Sequence, residues 1–366
     1  MNDSERFLKR ALEVARQGTG TTSPNPMVGA LVVRDGEVMA EGFHHRAGEA
    51  HAEEVALARA GDRARGSDLY VTLEPCAHQG HRPPCTEVII GAGIRRVVAC
   101  IQDPNPLVNG RGFERLEQAG VQVSWGFRQE EARCLNRAYL KWIVSGLPLV
   151  SLKAAVTLDG KLADAHGGSR WITSQEARAS VQRLRFESDA VLIGVGTALA
   201  DNPSLSVRHG DHGKSILKVI LDSRLRLPPG SRLFDTSRGD RVLVYGCRGA
   251  DERRRAALRE AGAEVIEIAE AGTRPDLGDV LTDLGRRNVL HLLCEGGAAV
   301  FTSFLIQGVA DRLHLVLAPK LLGSEGQSWV GELGKLRLEE ALSLGRLVDV
   351  HRSGPDLWLE ASLKGD

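Results

Sequence analysis

Four residues carry the plainest chemistry in the sequence: His51 and Glu53 in His51-Ala52-Glu53, Cys76 in Glu74-Pro75-Cys76, and Cys85. One imidazole and two thiolates are ligands that zinc prefers, and three protein ligands leave a fourth tetrahedral position for water, the mark of a catalytic ion. Zinc brings the pKa of such a water down to about 7, so a nucleophile is available at neutral pH. Glu53 is placed to take a proton from that water and deliver it to a leaving amine, as a non-ligand glutamate does in zinc nucleobase deaminases. Each piece alone is commonplace, since a His-x-Glu pair is usually a surface feature and a buried cysteine a small hydrophobe. In this order they read as one Zn2+ site per chain, with His51, Cys76 and Cys85 as ligands and Glu53 as the catalytic carboxylate. Cys100 and Cys134 fall inside a predicted strand and a predicted helix, where packing accounts for them.

The generic deaminase signature has two residues between its cysteines, whereas here eight intervene, Ala77 to Pro84. Arg82, His78 and His81 in that insertion are candidates to meet a substrate phosphate, and a solvated loop is an equal reading.

The second half suggests a different chemistry. It lacks G-x-G-x-x-G, so the usual dinucleotide fingerprint is missing. Glu295-Gly296-Gly297 between a predicted strand and helix reads as a phosphate cradle, because glycines at a helix start let backbone N–H groups approach a pyrophosphate; a tight turn is the plainer reading. Lys153, in a predicted strand with apolar neighbours, needs a partner or a ligand if it points inward, and Asp201 is a candidate partner. Asp222 ends the apolar run Leu217–Leu221 where a dinucleotide site places an acid, but Ser223 and Arg224 follow and suit a 2′-phosphate, hence NADPH.

The elements that must position these residues follow from hydrophobic spacing. Phe7, Leu8, Ala11, Leu12, Val14 and Ala15 recur at helical intervals over 5–17. Runs at 27–33 and 38–40 flank an Arg34-Asp35-Gly36 turn and predict a hairpin. Helices are expected at 51–60, 86–90, 112–119 and, as one long element, from Gln129 to about Val144, with strands at 69–73, 96–101 and 121–125. Ser145-Gly146-Leu147-Pro148 is the expected junction, since Gly followed closely by Pro ends a helix and restarts an extended chain. Beyond it strands are expected at 150–156, 190–193, 217–221, 241–245, 289–293 and 313–317, with helices at 174–187, 252–261, 276–286 and 298–307. Alternation of this kind gives α/β domains.

A chain of 366 residues exceeds what one core usually fills, so two domains are expected. Lys+Arg and Asp+Glu balance at 47 each and aromatics make up 4%. No basic stripe is present to attract nucleic acid or an anionic membrane, which leaves small-molecule substrates. The N-terminus lacks a signal-peptide pattern and no apolar stretch approaches a membrane span, so the expectation is a cytoplasmic protein with six reduced cysteines.

The motifs Pro24-Asn25-Pro26-Met27-Val28-Gly29, Gly42-Phe43-His44, His51-Ala52-Glu53, Glu74-Pro75-Cys76 through Pro83-Pro84-Cys85, and Asp103-Pro104-Asn105-Pro106 continue in the second half. There they are Lys153, Leu158-Asp159-Gly160, Ser169-Arg170-Trp171-Ile172-Thr173-Ser174, Asp201-Asn202-Pro203 and Glu295-Gly296-Gly297. Together they resemble the bifunctional pyrimidine deaminase/reductases of riboflavin biosynthesis over nearly the whole chain. The widened cysteine pair is a mark of that family, whose pattern carries Thr where this chain has Arg82. The resemblance implies a cytidine-deaminase-like three-layer α/β/α domain over 1–146 and a dihydrofolate-reductase-like α/β domain over 147–366. It implies hydrolytic loss of the 2-amino group of 2,5-diamino-6-ribosylamino-4(3H)-pyrimidinone 5′-phosphate, then NADPH-dependent reduction of the ribosyl group to ribityl. By the same resemblance Asn25 and His44 line the pyrimidine pocket. Ala155, Trp171, Thr197, Asp201, Ser223 and the segment Gly297, Ala298, Ala299, Val300, Phe301, Thr302 and Ser303 contact the cofactor. Ser169, Arg185, Leu205, Arg208 and Glu295 contact the substrate, Arg185 and Arg208 as a guanidinium clamp on its phosphate. Lys153 and Asp201 are the catalytic candidates of the reduction. A homodimer or higher homo-oligomer, through the second domain, is expected.

Two rival readings stay open on sequence alone. One is a nucleoside or tRNA deaminase with an RNA-binding second half, which the neutral charge disfavours. The other is a structural zinc module, closed by His78 or His81 as a fourth ligand.

Overall fold

A computed structural model of the chain describes residues 3–79, 82–209, 214–235, 239–271 and 274–364. The chain divides into two compact units, Met1–Gly146 and Leu147–Asp366.

In the first unit, helix α1 (Asp3–Ala15) buries Phe7, Leu8, Ala11, Leu12, Val14 and Ala15, the apolar set seen in the sequence. Strands β1 (Gly29–Arg34) and β2 (Glu37–Phe43) form the expected hairpin. Asp35 and Gly36 both have positive φ, 50° and 80°, the backbone twist that a two-residue hairpin turn requires. With β3 (Asp68–Val71), β4 (Arg96–Ala99) and β5 (Gln122–Trp125) they make a five-stranded sheet ordered β2-β1-β3-β4-β5. Pairing is antiparallel from β2 to β3 and parallel from β3 to β5. Alternation splits the side chains between two faces. Tyr70 meets Phe7 of α1 on one face, ring centroids 4.9 Å apart. Ala30, Val32, Leu69 and Val71 face a second core shared with α2 (Ala52–Ala60), α3 (Cys85–Gly91) and α4 (Arg111–Gln118). Helix α2 rides close on the sheet because residue 42 is glycine: a Cβ there would stand 2.4 Å from the Ala52 carbonyl oxygen.

The single helix expected over 129–144 is two, α5 (Gln129–Leu135) and α6 (Arg137–Ser145). The break is at Asn136, whose side chain accepts from the Met27 N–H at 2.8 Å and donates to the Met27 carbonyl at 2.9 Å. That pair of tertiary hydrogen bonds overrides helical propensity, which periodicity alone could not reveal. Cys134 is also exposed, on α5, so packing does not account for it; Cys100 is buried as expected.

The second unit holds β6 (Leu149–Thr157), β7 (Lys161–Ala163), β8 (Ala190–Gly194), β9 (Leu217–Leu221), β10 (Arg241–Cys247), β11 (Ala263–Ile268), β12 (Glu270–Ala271), β13 (Arg274–Pro275), β14 (His291–Gly296), β15 (Arg312–Ala318), β16 (Gln327–Ser328), β17 (Arg346–Ser353) and β18 (Asp356–Ser362). Its helices are α7 (Gln175–Glu187), α8 (Val195–Asp201), α9 (Glu252–Glu260), α10 (Leu277–Arg286) and α11 (Ala298–Ile306). Nine strands form one sheet ordered β11-β10-β9-β8-β14-β6-β15-β18-β17, parallel except at β15/β18 and β18/β17. One face is covered by a core containing Leu281 and Phe304 from α10 and α11, the other by one containing Val181 and Leu258 from α7 and α9. The sequence reading missed α8, which is only seven residues long, the strands β11, β17 and β18, and the two- and three-residue strands β7, β12, β13 and β16. In β17 the apolar Leu347, Val348 and Val350 are exposed among charges, so no buried alternation marks the strand. Among the described residues no helix is long and apolar enough to cross a membrane.

Candidate functional site

The three zinc-type ligands converge from three elements. His51 is the residue before α2, with extended backbone (φ −72°, ψ 162°), Cys85 opens α3, and Cys76 sits in the loop after β3. Their ligand atoms all lie within 4.8 Å of one another. His51 Nδ1 is 3.1 Å from Cys85 Sγ and 3.7 Å from Cys76 Sγ. With zinc–nitrogen and zinc–sulfur bonds of about 2.0 and 2.3 Å, the edges of a tetrahedron run roughly 3.5–3.8 Å, so the donor set fits such an ion with small adjustment. Among the described residues the cluster has three members. His78 is not one of them, and His81 lies outside the described residues.

Electrostatics follow from this crowding. The hydrogen bond from the Cys85 thiol, with further help from His51, lowers the Cys76 thiol to about 4, and the same contact raises Cys85. The Cys76 contact in turn raises His51 to about 9. Glu53, in the first turn of α2, is buried; burial and then the Cys76 charge push its carboxyl up to about 7. A carboxyl balanced near neutrality can both accept and return a proton. Asn25 Nδ2 donates to His44 Nε2 at 3.0 Å and His44 Nδ1 donates to the Ala50 carbonyl at 3.0 Å, an arrangement that holds the imidazole neutral. Burial lowers the His44 pKa in the same direction. The His44 ring stands 5.4 Å from that of His51, so Asn25 and His44 do border the centre.

Two features here were not visible in the sequence. Glu74 is buried and accepts from the N–H groups of Asp103 (3.1 Å), Gly110 (3.0 Å), Gly112 (2.8 Å) and Phe113 (3.4 Å), tying the Pro75-Cys76 turn to the start of α4. Arg82, a candidate phosphate ligand, instead donates through Nε and Nη2 to Glu54 at 3.0 and 2.6 Å, while Glu54 accepts the His51 N–H at 3.3 Å. The guanidinium is therefore engaged beside α2.

The second unit contains a cavity of about 760 Å³ near the C-terminal ends of β8 and β14, where open parallel sheets bind ligands. Lys153, Ala155, Ser169, Trp171, Thr197, Asp201, Leu205, Arg185, Arg208, Glu295, Gly297 and Phe301 all line it. Ser223, Ala298, Ala299, Val300, Thr302 and Ser303 are not among its lining residues. Thr302 Oγ1 accepts from the Gly331 N–H at 2.7 Å and Ser303 Oγ from Arg274 at 2.9 Å, so both hydroxyls are committed inside the fold. Gly297 sits at φ 93°, a conformation that favours glycine, and a Cβ there would make a tight contact, 3.0 Å from Thr197 Oγ1. The cavity also takes Arg178 and Gln182 from α7. Their signal was present, since residues 178, 182 and 185 share one helix face at i, i+4 and i+7.

Two pairings were not anticipated. Asp201 accepts from Ser169 Oγ at 2.9 Å and forms no ion pair with Lys153; the acid beside Lys153 is Glu295. Burial lowers the Lys153 pKa, and the Glu295 charge works against that. Arg185 is bidentate on Glu295 at the cavity wall, a pairing the sequence did not show. Asp222 is fully buried and caps its own turn by accepting from the Leu227 N–H at 2.8 Å, which removes it as a reader of ribose hydroxyls.

A three-layer α/β/α unit with a His–Cys–Cys centre and a buried glutamate, in one chain with an open α/β sheet that ends in a cavity, defines a two-domain deaminase–reductase. Residues 1–101 match the cytidine and deoxycytidylate deaminase zinc-binding region, and residues 148–358 match the RibD C-terminal domain. The riboflavin biosynthesis protein RibD of Aquifex aeolicus is 41% identical over 353 residues, covering 96% of each chain. That of Escherichia coli is 38% identical over 367 residues, 97% of this chain and 98% of its own. The structure of Acinetobacter baumannii RibD superposes with a TM-score of 0.88 at 34% identity, covering 98% of both chains. A diaminohydroxyphosphoribosylaminopyrimidine deaminase/5-amino-6-(5-phosphoribosylamino)uracil reductase from Thermotoga maritima gives 0.86 at 36% identity. The chain belongs to the RibD family of riboflavin biosynthesis proteins, enzymes that join a deaminase to a reductase.

Proposed function

We propose that residues 1–146 hydrolyse the 2-amino group from 2,5-diamino-6-ribosylamino-4(3H)-pyrimidinone 5′-phosphate. On this reading, residues 147–366 then reduce the ribosyl group of the resulting 5-amino-6-(5-phosphoribosylamino)uracil to ribityl with NADPH. The observation that carries the first step is the convergence of His51, Cys76 and Cys85 next to the buried Glu53. One zinc ion per chain would be held by those three side chains; when bound it supplies the Lewis acidity that makes water a nucleophile at neutral pH. Glu53 accepts the proton of the attacking water and delivers it to the departing amine, so that ammonia leaves and a ring carbonyl remains. Asn25 and His44 orient the pyrimidine beside this centre. Glu74 fixes the turn that carries Cys76.

In the second unit NADPH, when bound, supplies the hydride for C1′. The narrow clearance over Gly297 and the α11 start suit a pyrophosphate approached by backbone N–H groups. Ala155, Trp171, Thr197, Asp201 and Phe301 line the space for the cofactor, with Ser223 and the segment 298–303 at its margin. Within that margin the contact falls to the amides of Ala298 and Ala299, because the hydroxyls of Thr302 and Ser303 are already bonded. Lys153 polarises the sugar oxygen and carries the proton that must accompany hydride, while Asp201 holds Ser169 in place. Ser169, Leu205, Arg208 and Glu295 surround the ribose phosphate.

The reading further takes the enzyme to be a cytoplasmic homo-oligomer that acts on small molecules. The exposed Leu347, Val348 and Val350 on edge strand β17 support association through the second unit, because an uncovered apolar edge invites pairing. The decisive experiment for the assignment of chemistry is metal analysis of purified protein together with Glu53→Gln and Lys153→Ala. About one zinc per chain is expected. Each substitution should stop one reaction and spare the other when its own substrate is supplied; loss of both reactions from either change would contradict independent sites.

A further inference from the structure

Arg82 and Glu54 connect the segments that carry two of the three zinc-type ligands, and neither is a ligand itself. Arg82 Nε donates to Glu54 Oε1 at 3.1 Å and to Oε2 at 3.0 Å, while Nη2 donates to Oε2 at 2.6 Å. The Glu54 side chain is only 12% exposed, that of Arg82 42%. Glu54 stands at the third position of α2, and its Oε1 also accepts the His51 N–H at 3.3 Å, the reach-back half of a capping box. One carboxylate therefore fixes the backbone of His51 and grips the far end of the insertion between the cysteines.

That insertion has little slack on its way to the second cysteine. Only Pro83 and Pro84 separate Arg82 from Cys85, and each ring fixes its own φ. The Pro84 carbonyl already accepts the Glu87 and Val88 N–H groups at 3.0 and 3.3 Å, so it belongs to the first turn of α3. Holding Arg82 thus holds Cys85. Cys76 joins the same assembly: its Sγ accepts the Cys85 N–H at 3.4 Å and its carbonyl the Thr86 N–H at 3.2 Å. Those two bonds link Cys76 to Cys85, and the Arg82–Glu54 pair adds the link to His51.

An ion held by three side chains leaves by losing one of them first, and it stays when the loosened ligand is kept close enough to return. An exposed ion pair contributes little to folding stability, so the effect of this one is local. We propose that Arg82 is a positioning residue for the metal centre, tying the Cys85 segment to the His51 segment through Glu54 and so slowing the loss of zinc. The family pattern carries Thr at this position, which has no guanidinium to make the tie. The proposal rests on reading His51, Cys76 and Cys85 as a zinc site, and it assigns Arg82 to the ion instead of to the substrate phosphate.

The test is the rate of zinc release from the zinc-loaded full chain into an excess of a chromogenic chelator. Arg82→Ala should release zinc about 10-fold faster than the parent, the lower end of what losing an outer partner of a metal ligand costs. Glu54→Gln keeps an oxygen for the His51 N–H and removes the charge that Arg82 pairs with, so it should speed release to a similar degree. The double variant should be no faster than Glu54→Gln alone, as expected of two groups that act through one contact. Arg82→Lys should recover part of the difference, because a point charge keeps some of the attraction and loses the fork. KM for the diamino-pyrimidinone phosphate, read on Arg82→Ala with zinc replenished, should stay within about 3-fold of the parent. Release at the parent rate in either single variant, additive effects in the double, or no recovery in Arg82→Lys would overturn the proposal. A raised KM with unchanged release in Arg82→Ala would overturn it by making Arg82 a phosphate ligand. If Arg82→Ala fails to fold by its melting curve, Glu54→Gln carries the same comparison. A parent chain that takes up no zinc would overturn the zinc reading itself, a separate result from any of these.

Discussion

At the scale of residues the proposed deamination depends on one carboxyl whose burial moves its titration toward neutrality, next to three atoms spaced for a tetrahedral ion. Glu53→Gln keeps the shape and removes the proposed proton acceptor. Ammonia release should fall at least about 100-fold with zinc content unchanged, measured by coupled ammonia assay and metal analysis; near-normal release would take Glu53 out of the proton path. The cysteines give a second check. Cys134 is exposed while Cys100, Cys247 and Cys294 are buried, and burial raises Cys100 and Cys294 to about 12. A thiol reagent on the zinc-loaded protein should therefore label Cys134 first, found by peptide mapping, without loss of either activity. The clustering of His51, Cys76 and Cys85 was readable from sequence because these types in this order suit metal chemistry and their spacing is short-range. The engagement of Arg185 with Glu295 and of Arg82 with Glu54 was not, because a guanidinium looks the same in sequence whether it is free or already paired across 110 or 28 residues.

At the scale of elements, hydrophobic period located most helices and the hairpin, and it failed where tertiary bonds or exposure took over. Asn136 is the clearest failure, a buried amide that splits one periodic segment into α5 and α6. Asn136→Leu would leave the Met27 N–H and carbonyl without those partners and should destabilise the first unit by about 2–4 kcal/mol, seen as a lower melting temperature with reductase kinetics intact. The Arg185–Glu295 pair ties α7 to β14 and carries a pH signature. Burial works to raise Glu295, but Arg185 and Lys153 hold its carboxyl below the ordinary 4.5. Stability from a depressed carboxyl is fully present above the unfolded value and is lost as pH falls through the folded one. The melting temperature should therefore fall more steeply below about 4.5 in the parent than in Glu295→Gln. Parallel curves in that window would show that the pair contributes no linkage. Strand β17 escaped the sequence reading for the reverse reason, because its apolar side chains face outward.

At the scale of the molecule, the Gly146–Leu147 division and the α/β class of both units could be anticipated from alternation and a Gly/Pro junction. The nine-stranded order could not, because strand neighbours 100 residues apart leave no local trace. If β17 forms an interface, Val350→Glu should shift the sedimentation coefficient toward a monomer by placing a charge on that edge; an unchanged value would move the interface elsewhere. On the proposed function, deamination precedes reduction. The most direct measurement is mass analysis after incubating the full chain with 2,5-diamino-6-ribosylamino-4(3H)-pyrimidinone 5′-phosphate, with and without NADPH. Without NADPH the deaminated ribosyl compound should accumulate alone, and with NADPH it should give way to the ribityl product. A starting compound that survives unchanged without NADPH, or a reduced product that still carries both amino groups, would contradict the account.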